Sequence, residues 1–485
     1  MQKNIKRLGI FFVILALALI LNLTYLQVLG QNDIRENPAN TRRLNEEYGI
    51  ARGRIITSDG LVVAESLESE GPFKYQRFYP LSWLLSHVVG YDSPQFGRSG
   101  LEQEYNEFLL GRKPPQGWVE EMTSSREEGH DLIITIDSEV QEAAAQALGE
   151  RKGAVVAINP KTGAVLAMYS WPAYDPNALV SQERDTEGGL VADAVMQSYS
   201  QSTSSPLLNR GTMGLYPPGS SFKVLTSSAG IETGLPTGTV YNCPGVLPVN
   251  GSQVTNYGDP PKSFGDMNMD TALTFSVNTY FAQLALAMDD IEWGALVDYA
   301  HGFGLSDLIP LDYPAVAVSS IPDRGSMDNV ELAWTGAGQG RLLLTPLQLA
   351  VIGSGIANRG KIMTPHVMKE IRHEEEILER FDSEKWREPI SSDAAEEVLE
   401  MMINVVSSGT GTAAAIPGVT VAGKTGTAEV EDKPNHTWFL GIAPAENPQV
   451  VVAVVVENSG GGGGSVAAPI AKEVMEAALK RTNTI

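Results

Sequence analysis

"YPPGSSFKVLT", Tyr216 to Thr226, sets two adjacent serines ahead of a lysine, with Pro217-Pro218-Gly219 before them and an apolar run behind. Proline and glycine avoid helix interiors, whereas "FKVLTSSAGIETG" suits one, so a helix is expected to begin near Ser220. On a helix, residues three apart are neighbours and residues two apart are not. Ser220 therefore shares a face with Lys223, and Ser221 points elsewhere. A serine hydroxyl is a weak nucleophile unless a base takes its proton. Lysine can be that base only when neutral; a helix N-terminus, burial and a second cation each lower its pKa from ~10.4. By itself a Ser-x-x-Lys fits a plain helix cap equally well.

Two further stretches change the balance. "TFSVNTYF" supplies Ser276 and Asn278 around Val277, at what reads as a helix flank, and "AGKTGTAEV" supplies Lys424, Thr425, Gly426 and Thr427 on a strand-like run. Glycine at 426 is expected to leave room for a ligand against the strand backbone. Ser-x-x-Lys, Ser-x-Asn and Lys-Thr-Gly, in that order, is the motif set of penicillin-binding proteins and class A β-lactamases. The second Lys-Thr-Gly, residues 161–163, lies in a hairpin turn ahead of Ser220, so Lys161 reads as a solvated turn residue. "GVTVAGKT", Gly418 to Thr425, formally fits a phosphate loop, but its spacer is strand-like and Gly426 stands where a helix should start.

The chain resembles a class B penicillin-binding protein over nearly its whole length, and within that class it looks like the actinobacterial penicillin-binding protein A group. "RGRIITSDG", "RSGLEQEYN", "INPKTGAVLAMYSWPAYDPN", "PLLNRGTMGLYPPGSSFK", "GAGQGRLLLTPLQLA" and "VAGKTGTAE" carry the likeness. The resemblance implies a serine D,D-transpeptidase that cross-links peptidoglycan stem peptides ending in D-Ala-D-Ala and is acylated by β-lactams. It implies Ser220 as nucleophile, Lys223 as base, Ser276 as proton relay and Asn278 as the residue that holds Lys223 or the substrate amide. Lys424, Thr425 and Thr427 would hold the terminal carboxylate, with the backbone N–H groups of Ser220 and Thr427 as the oxyanion hole. It also implies a polytopic membrane glycosyltransferase of the shape-elongation-division-sporulation family as partner. A β-lactamase would need a deacylating glutamate, and Glu292 lacks the setting for one. A β-lactam sensor or a catalytically silent scaffold would share the fold, but a scaffold has no need of Lys223 or Lys424.

Outward from these motifs, 485 residues allow two or three domains, and a formal net charge of −23 repels phosphate backbones, which argues against nucleic acid as a partner. Lys3, Lys6 and Arg7 precede an uncharged run, Leu8 to Gly30, and about 20 such residues span a bilayer. The basic end is expected to stay cytoplasmic and the remainder to lie outside. Cys243 is the sole cysteine, so no intramolecular disulfide forms, and the six histidines lack metal-ligand spacing. No metal or cofactor is expected.

The expected division is a cytoplasmic tail, 1–7, an anchor, 8–30, an extracytoplasmic pedestal, 31–134, and a transpeptidase domain, 135–485. Residues 52–66 read as a hairpin, 97–111 as one helix with Leu101, Tyr105 and Phe108 on a face, and 153–170 as a second hairpin. Three strand patterns and a helix close the chain after residue 418, and the glycine run 460–464 reads as a flexible loop. Strands at both ends of the last domain, with helices between, predict an α+β fold whose antiparallel sheet is flanked by helices.

Overall fold

The computed structural model describes residues 2–24, 41–112, 128–186 and 188–482. Its backbone is helical over Gln2–Thr24, where Phe11, Phe12, Val13, Ile14, Leu15, Leu17 and Leu19 are all more than half exposed. Among the described residues no helix is long and apolar enough to cross a membrane. The outer end of the expected anchor and most of the polar linker before residue 131 lie outside the described residues.

Two large sheets organise the rest. Strands β1 (Ile55–Ile56) and β2 (Val62–Glu68) form the hairpin expected around Asp59-Gly60. They are followed by β3 (Tyr75–Phe78) and β4 (Asp131–Ile134). The second hairpin is β5 (Gly153–Ile158) with β6 (Val165–Trp171). Much later come β7 (Met368–His373), β8 (Glu376–Arg380), β9 (Ala422–Val430), β10 (Lys433–Ala443) and β11 (Val450–Val456).

The first sheet runs β8-β7-β4-β1-β2-β3, with β7 antiparallel to β4 in a register that sets Ile371 opposite Leu132. The pedestal sheet thus takes two strands from beyond residue 367, inside the stretch expected to belong wholly to the second domain. The second sheet runs β9-β10-β11-β5-β6, all antiparallel, so strands from both ends of the expected domain meet in it.

Alternation along these strands builds two apolar faces. Val155, Val452, Val454 and Phe439 pack against the helices Ser138–Leu148 and Gly463–Arg481. Val156, Val451, Ala453 and Leu440 face the other way, toward the buried helix Pro346–Ala357. Burial on both sides explains why β11 reads as an unbroken valine-rich run, without polar alternation.

Two local expectations change. The segment 97–111 holds two short helices, Gly100–Glu104 and Asn106–Leu109, that break at Tyr105, although Leu101, Tyr105 and Phe108 are buried as their spacing indicates. The glycine run ends inside a helix: a Cβ on Gly463 would stand 2.4 Å from the Trp438 carbonyl oxygen and 2.5 Å from that of Gly426. Gly460, Gly461 and Gly462 lie outside the helix as expected, while Gly463 and Gly464 begin it and let its start abut the sheet.

Candidate active site

Gly219–Phe222 forms one tight 3-10 turn that runs directly into the α-helix Lys223–Glu232, close to the start read from the sequence. The turn separates the two serines. Ser220 is partly exposed, while Ser221 is buried and donates its hydroxyl hydrogen to the Pro218 carbonyl at 2.7 Å. Ser221 therefore ties the turn to itself.

The turn is pressed onto β9, the edge strand of the second sheet. Gly219 has φ +55, and a Cβ there would lie 2.4 Å from the Thr427 carbonyl oxygen. A Cβ on Gly426 would meet the Pro218 oxygen and the Trp438 Cβ at 2.8 Å and the Ser221 Cβ at 3.2 Å. Gly426 thus makes room for the serine-bearing turn, where room for a ligand was expected. Trp438 on β10 adds a hydrogen bond from its indole nitrogen to the Pro217 oxygen, 2.9 Å.

Lys223 is fully buried. Its Nζ donates to the Ser276 carbonyl at 2.8 Å and to Asn278 Oδ1 at 2.7 Å, and it stands 3.5 Å from Ser276 Oγ. Lys424, equally buried, donates to Ser276 Oγ at 2.9 Å and to the Thr425 carbonyl at 3.0 Å. One hydroxyl therefore lies between two ammonium-forming groups. Burial holds the Lys223 pKa well below the ordinary lysine value, and the charge of Lys424 lowers it further. Burial alone brings Lys424 down to about 7.

Ser276 reaches this position from the link between the helices Met269–Thr274 and Asn278–Ile291, with φ 61. A non-glycine residue in the left-handed region is uncommon and costs conformational energy. Asn278 opens the second helix, and its Nδ2 donates to the Thr255 carbonyl at 2.8 Å, which fixes the amide's orientation toward Lys223.

Ser220 with Lys223, Ser276 with Asn278, and the 424–427 strand thus converge from three separate segments. The Ser220 hydroxyl itself forms no hydrogen bond to Lys223 among those described. Residues missed from the sequence complete the surroundings: Thr410 Oγ1 meets Thr425 Oγ1 at 2.7 Å, and Gln339 Nε2 donates to the Thr427 carbonyl at 3.3 Å. The Gly-Thr cluster 409–412 was the available signal for the first. Lys161 sits on its turn, hydrogen-bonded to Asn447, far along the chain from this cluster. Lys424 lies inside a strand, so the phosphate-loop reading lacks its helix.

Comparison with known proteins gives one consistent picture. The family model described as "Penicillin binding protein transpeptidase domain" matches residues 153–476, and "Penicillin binding protein A dimerisation domain" matches 52–131. The chain is 34% identical over 507 residues to the peptidoglycan D,D-transpeptidase PbpA of Mycobacterium tuberculosis, covering 99% of each. It is 31% identical to the peptidoglycan D,D-transpeptidase MrdA of Haemophilus influenzae, covering 86% of this chain and 71% of that one. The ceftriaxone acyl-enzyme complex of penicillin-binding protein A from M. tuberculosis superposes with a TM-score of 0.81 at 33% identity, over 90% of this chain and 99% of the other.

Proposed function

The chain belongs to the penicillin-binding transpeptidase family, and from that premise we propose how its site divides the work of a serine D,D-transpeptidase on peptidoglycan. Ser220 Oγ attacks the carbonyl of the penultimate D-Ala, and Lys223, neutral through burial, takes the proton. The tetrahedral oxyanion rests on the backbone N–H groups of Ser220 and Thr427, the latter on a sheet edge with an open side. Loss of one such donor costs about 3–4 kcal/mol in a hydrolase. Collapse of the intermediate breaks the peptide bond, and Ser276 passes a proton to the departing D-Ala amine. An amine from a neighbouring strand then attacks the ester carbonyl, and the same groups run in reverse.

Asn278 keeps Lys223 aimed at Ser276. Lys424, with Thr425 and Thr427, receives the substrate's terminal carboxylate, and Gly426 keeps the strand flush with the nucleophile's turn. A β-lactam offers the same carbonyl and carboxylate and so acylates Ser220.

Convergence of two buried lysines on the Ser276 hydroxyl is the observation that carries this reading, since a non-catalytic fold has no reason to bury two ionisable amines together. Intact-mass spectrometry after β-lactam treatment tests it. Ser220→Ala should take no adduct, Ser221→Ala should still take one, and Lys223→Ala should fold but react at least a hundredfold more slowly. An adduct on Ser220→Ala would show that the nucleophile lies elsewhere.

The uncharged run 8–30, with its exposed apolar side chains, supports a single-pass anchor with the tail 1–7 in the cytoplasm and 31–485 outside. On this reading 31–134 is the pedestal and 135–485 the catalytic domain. The anchor and pedestal would meet a polytopic membrane glycosyltransferase of the shape-elongation-division-sporulation family, placing the enzyme in wall synthesis for division or elongation.

A further inference from the structure

The second sheet has two edges. One, β9, abuts the Ser220 turn; the other is β6, which ends at Trp171. Four strand spacings of ~4.8 Å set these edges about 19 Å apart. Beside β6 lies an open cavity of about 400 Å³, walled by Trp83, Tyr169, Trp171, Tyr174 and Tyr199. Trp83 stands 47% exposed on the short 3-10 turn Ser82–Leu84, whose first residue has φ 43. Its ring meets Trp171 at 6.4 Å and 87°, and Tyr169 at 6.2 Å and 69°, so the rings make a corner open to solvent. An indole left half in water forgoes the burial that a core aromatic gains, and is available to a ligand.

Polar groups at the corner narrow the choice of ligand. Glu150 and Asp175 line the cavity, and no basic residue does. Glu150 is exposed and forms no ion pair among the described residues, because the neighbouring Arg151 folds back onto the Leu148 and Ala147 carbonyls. Asp175 accepts from the Asn177 backbone N–H through Oδ1 at 2.9 Å, which leaves Oδ2 with no partner among the described residues. The Tyr169 hydroxyl has none there either, and burial pushes its pKa up, so it keeps its proton and can donate. Two carboxylates without a counter-charge repel an anion. A compact ammonium would suit the aromatic faces. The cavity, however, is more than ten times the ~30 Å³ that one water takes, so a lone cationic head would leave most of it unfilled. A neutral ring compound with hydroxyls around an apolar face matches both the walls and the acceptors.

We propose that this cavity holds glycan: a sugar unit of a peptidoglycan strand lays its C–H face against the Trp83–Trp171 corner and donates its hydroxyls to Glu150 and Asp175, while Tyr169 donates to an acetamido carbonyl. The inference rests on the transpeptidase reading for the source of the glycan, because stem peptides reach Ser220 attached to such strands. N-acetylated sugars are neutral, as the pair of carboxylates requires. A strand held at β6 while its peptides are worked at β9 raises the local concentration of stem peptides with no new contact at the nucleophile.

The test uses the full chain, first acylated with penicillin so that Ser220 is blocked, and a tetrasaccharide of β-1,4-linked N-acetylglucosamine as probe. Isothermal titration calorimetry should show saturable binding. Trp83→Ala should weaken it about tenfold or more, and Glu150→Ala about three- to fivefold. Both side chains are exposed, and a thermal melt of each variant checks that it is folded. Trp293→Ala, which removes an exposed indole outside the cavity, should bind as the wild type does. Tetramethylammonium chloride, the second probe, should not displace the sugar. No binding by the acylated wild type, binding that Trp83→Ala leaves intact, or displacement by tetramethylammonium would overturn the glycan site and leave the transpeptidase reading standing. Failure of the wild type to take the penicillin adduct would instead overturn the transpeptidase reading, and with it the source of the glycan.

Discussion

Ser276 holds one hydroxyl between Lys223 and Lys424, and two protons on two lysines so placed repel one another. Burial lowers both: Lys223 falls well below the usual lysine range, with Lys424 adding to the effect, while Lys424 comes down to about 7. This fits the proposed roles, with Lys223 as the base and Lys424 as the group that still carries a proton to meet a carboxylate. A carboxylate-bearing β-lactam should therefore acylate the protein more slowly as pH rises above about 7, where free Lys424 loses its charge. Rates measured by intact mass between about pH 6 and 9 check this, and Lys424→Met should be slower and flat across that range. Stability follows the same groups. The folded chain binds fewer protons than the unfolded one between about 7 and the lysine reference of ~10.4, so these lysines make stability rise with pH there. Part of this was legible in the sequence, since the Pro-Pro-Gly stretch and the apolar run behind it located the helix start that carries Ser220 and Lys223. The left-handed backbone of Ser276 was not, because nothing local in "TFSVNT" demands it.

Elements carry a different part of the argument, in how closely they meet. The 3-10 turn and β9 touch through glycines, so a single methyl at Gly426 has nowhere to go except into Pro218, Trp438 or Ser221. Gly426→Ala should displace the turn by a few tenths of an ångström and slow acylation of Ser220 by about ten- to a hundredfold. Overpacking of this kind also destabilises by about 1–3 kcal/mol. Acylation kinetics beside a thermal melt separate the two effects. The hairpins 52–66 and 153–170 were readable because turn residues and β-branched runs are local signals. The break at Tyr105 and the helix start at Gly463 were not, for each depends on what packs opposite. Gly426 shows the same limit: its type indicated a close approach, but the sequence could not say that the approaching partner was the protein itself.

At the scale of the whole molecule, the proposed chemistry and the proposed membrane anchor occupy different parts of the chain. Removing residues 1–30 should leave a protein that still forms the β-lactam adduct but fails to replace the full-length protein in a growing cell. Complementation by the secreted fragment would count against the anchor as the route to its partner. The order of strands in the first sheet was beyond sequence reading, since β4 pairs with β7 across a separation that leaves no local trace. That pairing also sets a timetable. Roughly 230 residues separate Ile134 from Met368, and synthesis at ~5–20 residues/s takes about 10–50 s to cover them. Throughout that interval β4 has emerged while one of its two neighbours does not yet exist, so an apolar strand edge stands open on a nascent chain. The first sheet, begun early in synthesis, is among the last parts to be finished, and whatever attends the nascent chain has that edge to shield until His373 arrives.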